Sequence, residues 1–126
     1  MAEQPLKLFF DGGCRPNPGP METAVATRRQ VWHFREIGHG SNDEAEWQAL
    51  LGALDVASEL GANDIVLLGD SALIVAQASG TAKPGPFASF HASYLAKAAA
   101  FTRVRIRHIK RAKNLAGIAI AKGWPR

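Results

Sequence analysis

Disulfide chemistry, membrane-spanning hydrophobicity and C-terminal acids are all missing from this sequence. Its one cysteine, Cys14, has no partner within the chain, which excludes an internal disulfide and suits a reducing compartment. No uninterrupted apolar run approaches the ~18 residues of a membrane span, and the N-terminus lacks the basic start and apolar stretch of a secretory leader. The expectation is therefore a cytoplasmic protein without a membrane association. Repeats, low-complexity tracts and linkers are absent as well. With 47% hydrophobic and 21% charged residues among 126, the chain is too apolar for disorder and can bury one core, giving a single domain over residues 1–126.

The missing acids unbalance the charge. No Asp or Glu follows Asp70, and the net charge of +4 divides into −4 over residues 1–100 and +8 over residues 101–126. A basic region of this kind attracts polyanions such as nucleic acid.

The apolar pattern alternates strands with helices. Leu6 to Asp11 reads as a strand, and Glu22–Thr27 with Val31–Ile37 as a hairpin around Arg28-Arg29-Gln30. Trp47, Leu50, Leu51, Leu54 and Leu60 recur at helical spacing over Asp43–Leu60, with Ser41 and Glu44 as a capping box and Gly61 as the stop. Ile65–Leu68 is short and wholly apolar, as in a buried central strand, and Asp70-Ser71 then opens a helix toward Gln77. A turn-rich break at Gly80–Pro86 leads into a helix carrying Phe87, Phe90, Tyr94 and Leu95. Val104, Ile106 and His108 alternate with arginines as in a half-buried strand, and a last helix runs from Asn114 to Lys122. The order βββ-α-β-α-α-β-α is that of one α/β domain.

Three carboxylates stand at element edges. Asp11 is followed by Gly12 and Gly13, which let other backbone approach it, and Asn17 is held between two prolines. Glu46 lies one turn into the long helix beside Trp47, where an exposed surface glutamate is the simplest reading of that position alone. Asp70 ends a strand, where ligand sites of α/β sheets gather, but it also suits a helix N-cap. If the three converge, their repulsion calls for a cation, and hard oxygen ligands suit Mg²⁺ or Mn²⁺. Beside a basic surface, such a site implies a metal-dependent phosphodiesterase acting on a polyanion.

The strings DGGCRPNPGP, SNDEAEWQALLGAL, IVLLGDSALIVAQ and RIRHIKRAKN, in that order and covering roughly residues 6–122, resemble the type 1 ribonuclease H domain. The resemblance implies a ribonuclease H-like α/β fold: a five-stranded mixed sheet, three antiparallel strands then two parallel, flanked by helices. It implies endonucleolytic hydrolysis of the RNA strand of RNA–DNA hybrids with Mg²⁺ or Mn²⁺, leaving 3′-hydroxyl and 5′-phosphate ends. Asp11, Glu46 and Asp70 fall on catalytic, metal-holding acids. Gly12, Gly13, Asn17, Asn42, Ser71, Arg111 and Asn114 fall on the substrate side, Asn17 and Asn42 at positions that contact the minor groove. A monomer without an obligate protein partner is expected.

Two departures from that family stand out. The segment from Gln77 to Phe101 carries only Lys83 and Lys97, too little for the basic handle that some members use, and a separate hybrid-binding domain before Leu6 is not expected. More seriously, the family places a metal-holding aspartate four residues after the asparagine matched by Asn114. Ile118 occupies that position here. Two outcomes follow from the loss: slow or metal-shifted cleavage, or an impaired module that binds hybrids without cutting them.

Overall fold

The computed structural model describes residues 4–123, so the ends of the expected 1–126 domain, with basic Arg126, lie outside the described residues. Strand β1 (Leu6–Cys14) occupies the middle of the sheet, with β2 (Gly19–Ala26) antiparallel on one side and β5 (Asp64–Gly69) parallel on the other. Beyond β2 lies β3 (Val31–Phe34), antiparallel, and beyond β5 lies β6 (Arg103–His108), parallel. The order β3-β2-β1-β5-β6 is the expected mixed sheet. One element was not expected: β4 (His39–Gly40) pairs with the first residues of β2. The hairpin's second strand is also shorter than the Val31–Ile37 expected from its pattern. Glu36 has φ +54° and Gly38 φ +137°, and left-handed backbone cannot continue a pleated ladder. The chain regains its pairing through Ile37 N–H to the Met21 carbonyl, 3.1 Å, and Met21 N–H to the Gly38 carbonyl, 2.8 Å.

Helices cover both faces. Helix α1 (Asn42–Glu59) packs on β1 and β2, and α3 (Ala88–Ala98) on α1, with α2 (Ala72–Ser79) near β6. Leu8, Phe10, Val25, Ile65 and Leu67 point into this face with Trp47, Leu50 and Leu54 of α1. Helix α4 (Leu115–Gly123) covers the other face, where Ala116 and Ile120 meet Phe9, Ala24, Ala26, Val66 and Leu68. Being covered on two sides explains why β5 is apolar throughout and lacks the alternation of a surface strand.

Local chemistry sets the helix ends. Ser41 Oγ accepts the Glu44 N–H at 3.1 Å and so caps α1. At its other end Gly61 (φ +72°) turns the chain, with Ala62 N–H bonded to the Ala57 carbonyl at 3.1 Å in a Schellman arrangement. Trp47, fully buried, donates its indole N–H to Gln77 Oε1 at 3.0 Å, tying α1 to α2. Among the described residues, no helix is long and apolar enough to cross a membrane.

Candidate active site

Strand β1 outruns β5. It pairs with β5 only from Leu6 to Phe9, then continues beside β2 as far as Cys14. The gap opens at the C-terminal end of β5, and the three expected carboxylates meet there. Each of Asp11, Glu46 and Asp70 offers an oxygen within 4.8 Å of the other two.

Each carboxylate is held by a different device. A Cβ on Gly12 would collide with the Ala45 carbonyl, so glycine alone lets α1 approach the strand this closely. That approach brings Glu46 Oε1 to the Gly12 N–H at 2.6 Å. Glu46 is accordingly buried, 6% exposed, and not the surface glutamate its helical position suggests. Asp70 is not the cap of α2. Ser71 Oγ accepts the Ile74 N–H at 3.3 Å and fills that role, leaving the Asp70 side chain to the cluster. Asn114 then fixes Asp70: its Nδ2 donates to Asp70 Oδ2 at 3.1 Å and to the Phe10 carbonyl at 3.0 Å. Its Oδ1 accepts the Ala116 N–H at 3.1 Å, capping α4.

Burial and mutual repulsion govern the protons. Burial, with the Asp70 charge adding to it, raises the Asp11 carboxyl from its ordinary 3.8 to about 6, against the opposing Glu46 and Gly12 hydrogen bonds and the Arg111 charge. Burial, then the neighbouring Asp11, raises Glu46 from 4.5 to about 10. Two carboxyls this close hold on to a proton because both cannot ionise cheaply. A divalent cation removes that constraint, and three converging carboxylate oxygens fit Mg²⁺ or Mn²⁺. A cleft of ≈ 740 Å³ opens over the cluster, lined also by Gly13, Asn42, Ser71 and Arg111. Carboxylates at its base with an arginine on its wall can hold a cation and the phosphate it neutralises.

A family model described as Reverse transcriptase-like matches residues 10–123. The solved ribonuclease H1 from the halophilic archaeon Halobacterium salinarum NRC-1 superposes with a TM-score of 0.81 at 28% identity, covering 95% of this chain and all of that one. The chain belongs to the type 1 ribonuclease H family. Among curated relatives, the bifunctional protein Rv2228c of Mycobacterium tuberculosis is 33% identical over 117 residues, 82% of this chain. The chain spans only 31% of that relative's length. LC11-RNase H1, solved in complex with an RNA/DNA hybrid, has a TM-score of 0.68 at 25% identity, covering 87% of this chain and 88% of that one.

Within this ribonuclease H domain, the expected substrate-side residues divide into two groups. Gly12, Gly13, Asn42, Ser71 and Arg111 line the cleft. Asn42 is held by Cys14, whose N–H donates to its Oδ1 at 2.9 Å, and its own N–H donates to Asn17 Oδ1 at 3.1 Å. Asn17 is exposed and outside the cleft lining, and Asn114 is fully buried with its amide committed to Asp70, Phe10 and α4. Ile118 is 38% exposed and likewise outside the lining; α4 presents Gly117, Ile120 and Ala121 to the cleft. A Cβ on Gly117 would lie 3.1 Å from Asp11 Oδ2 and 3.7 Å from Asp70 Oδ2. Two contributors escaped sequence reasoning. Gly117 shows in the sequence only as a glycine within the last helix, although its missing side chain admits α4 to the acids. His108, expected as a partly buried strand residue, is exposed and lies with Nε2 3.2 Å from the Asp70 carbonyl.

Proposed function

We propose that this domain hydrolyses the RNA strand of RNA–DNA hybrids in a metal-dependent, endonucleolytic reaction. The convergence of Asp11, Glu46 and Asp70 within 4.8 Å carries the reading, and the likeness to ribonuclease H1 structures, one of them solved on a hybrid, supports it. Asp11, Glu46 and Asp70 would hold Mg²⁺ or Mn²⁺, which when bound supplies Lewis acidity at the phosphate and an activated water. The chain's own groups provide the rest. The Gly12 N–H orients Glu46, Asn114 orients Asp70, and Arg111 offers a guanidinium to the phosphate backbone on the cleft wall. Asn42, clamped by Cys14, presents its edge to the substrate. All three acids come from one chain, so the site needs no second copy to complete it, and we read the domain as a monomer.

The absence of an acid at position 118 makes this a slow or Mn²⁺-favoured enzyme. Loss of a preorganised charged group costs on the order of 10²-fold in rate. The second reading, a hybrid-binding module with little cleavage, draws on the same isoleucine and on the basic C-terminal segment. A labelled hybrid incubated with the protein in Mg²⁺ and in Mn²⁺ separates the two. RNA-strand cutting that vanishes in Asp70→Asn supports the nuclease. Tight binding with no cutting in either metal supports the module.

A further inference from the structure

Helix α4 packs on β1, β2 and β3 and reaches β5 through Val66 and Leu68, so among the described residues the edge strand β6 is the part of that sheet face outside its main contacts. Strand β6 is the edge on that side, and its residues divide cleanly between the faces. Val104 and Ile106 pair with Ile65 and Leu67 and pack into the α1 core. Arg103, Arg105 and Arg107 pair with Asp64, Val66 and Leu68 and therefore stand on the open face. Arg103 and Arg107 are exposed. Lys7 of β1, also exposed, pairs with Val66 and joins the same face level with Arg105.

Three parallel guanidiniums along one strand repel one another, and only one is compensated. Arg105 Nη2 lies 3.1 Å from Asp64 Oδ1, and among the described residues no carboxylate forms an ion pair with Arg103 or Arg107. Spaced two residues apart, neighbouring arginines rise about 6.6 Å and the whole row about 13 Å, a repeat comparable to the phosphate separation along a nucleic-acid strand. The row's C-terminal end lies at the end of the sheet that carries the carboxylates. Arg107 pairs with Leu68, two residues before Asp70, so the charges run along the edge strand from the carboxylate end of the sheet toward its opposite end. Among the described residues no exposed aromatic ring stands on this part of the face, so there the row offers phosphate contacts and no stacking for bases.

We propose that Arg103, Arg105 and Arg107, flanked by Lys7, form a track for the phosphates of a single nucleic-acid strand continuing beyond the duplex held at the cleft. The track rests on the reading of the cleft as a hybrid site. A single row of charges matches one strand, whereas a duplex needs cations placed on both sides of a groove. Recognition through phosphates alone makes the track indifferent to sequence.

Fluorescence anisotropy tests this with the whole chain in EDTA and three ligands: a blunt RNA–DNA hybrid, the same hybrid with a short single-stranded extension at one end or the other, and a longer blunt hybrid. An extension of one polarity is expected to tighten binding roughly tenfold at about 0.1 M salt, and to steepen the log K against log salt slope by about 2, at ~0.7 per phosphate contact. In Arg103→Ala/Arg107→Ala that gain disappears, while Arg103→Lys/Arg107→Lys keeps most of it. The proposal is overturned if neither extension tightens binding, if the gain survives in the double alanine variant with unchanged circular dichroism, or if lengthening the duplex produces the same arginine-dependent gain. Cleavage of the blunt hybrid in Mg²⁺ or Mn²⁺ reads the cleft independently: no cutting alongside an intact extension gain rejects the nuclease and keeps the track.

Discussion

A single amide of Asn114 joins Asp70 to Phe10: its Nδ2 sits 3.1 Å from the Asp70 carboxylate and 3.0 Å from the Phe10 carbonyl, in a fully buried position. The strand that carries Asp11 and the strand end that carries Asp70 are thus pinned to the start of α4 by one side chain. Asn114→Ala leaves the Phe10 carbonyl and the α4 cap without partners, at about 1–3 kcal/mol for each buried group. Asn114→Asp keeps the size but replaces the donor with a further negative charge. Both variants are expected to lower the melting temperature, and Asn114→Asp to lose more hybrid cleavage than its stability loss explains. Thermal melts paired with single-turnover cleavage check this.

The raised carboxyls give the metal-free domain a defined pH dependence. Asp11 and Glu46 titrate at about 6 and about 10 when folded, against 3.8 and 4.5 ordinarily. Between those limits the folded chain holds protons that the unfolded chain has released. Their contribution to stability is therefore complete below about pH 4 and is lost progressively as pH rises through Asp11's and then Glu46's folded value. Glu46→Gln, a neutral isostere, should flatten the decline. Mg²⁺ or Mn²⁺ should raise the melting temperature more at about pH 8 than at about pH 5, because the ion competes with the shared protons. Equal metal-induced shifts at both values would contradict the assignment of these two acids as ligands.

Restoring an acid to α4 discriminates between adjacent positions. Ile118→Asp is expected to raise Mg²⁺-dependent cleavage about tenfold or more, since an exposed position accepts the carboxylate without repacking. Gly117→Asp is expected to do the opposite. Its Cβ would crowd Asp11 Oδ2 at 3.1 Å and push α4 off the acids. Rates of both variants in the two metals settle the matter, with no gain from a folded Ile118→Asp counting against the proposed geometry.

Gly69 and Phe10 form a steric pair beneath the site. A Cβ at position 69 would overlap the Phe10 ring, so Gly69→Ala should cost about 2 kcal/mol as an overpacking change. Phe10→Leu alone should also destabilise, but combining the two should cost less than their sum, because the smaller side chain vacates the contested space. Denaturant unfolding of the four-member cycle measures the coupling.

The sequence was most legible where a residue's backbone context restricts its role. The Gly-Gly after Asp11, the apolar run before Asp70 and the serine before α1 each anticipated what the fold places there. Glu46 was less so, since helical spacing alone does not distinguish a surface acid from one drawn inward by a neighbouring glycine. The choice between Asp70 and Ser71 as the α2 cap depended on the next residue's hydroxyl, and the early end of β3 on a left-handed Glu36. Neither leaves a hydrophobic pattern. Position 118 shows the same limit: counting four residues from Asn114 locates the family's ligand, but the face α4 turns to the cleft depends on how closely Gly117 lets the helix approach.

The bond between Asn114 and the Phe10 carbonyl closes a loop of 104 residues. Contacts this distant in sequence are slow to form, because the chain must surrender the freedom of everything between them. During synthesis Asp11, Glu46 and Asp70 are all made long before Asn114 emerges to tie Asp70 to the backbone of β1. The acid-lined cleft is therefore a late product of folding, and a growing chain lacks it until α4 arrives.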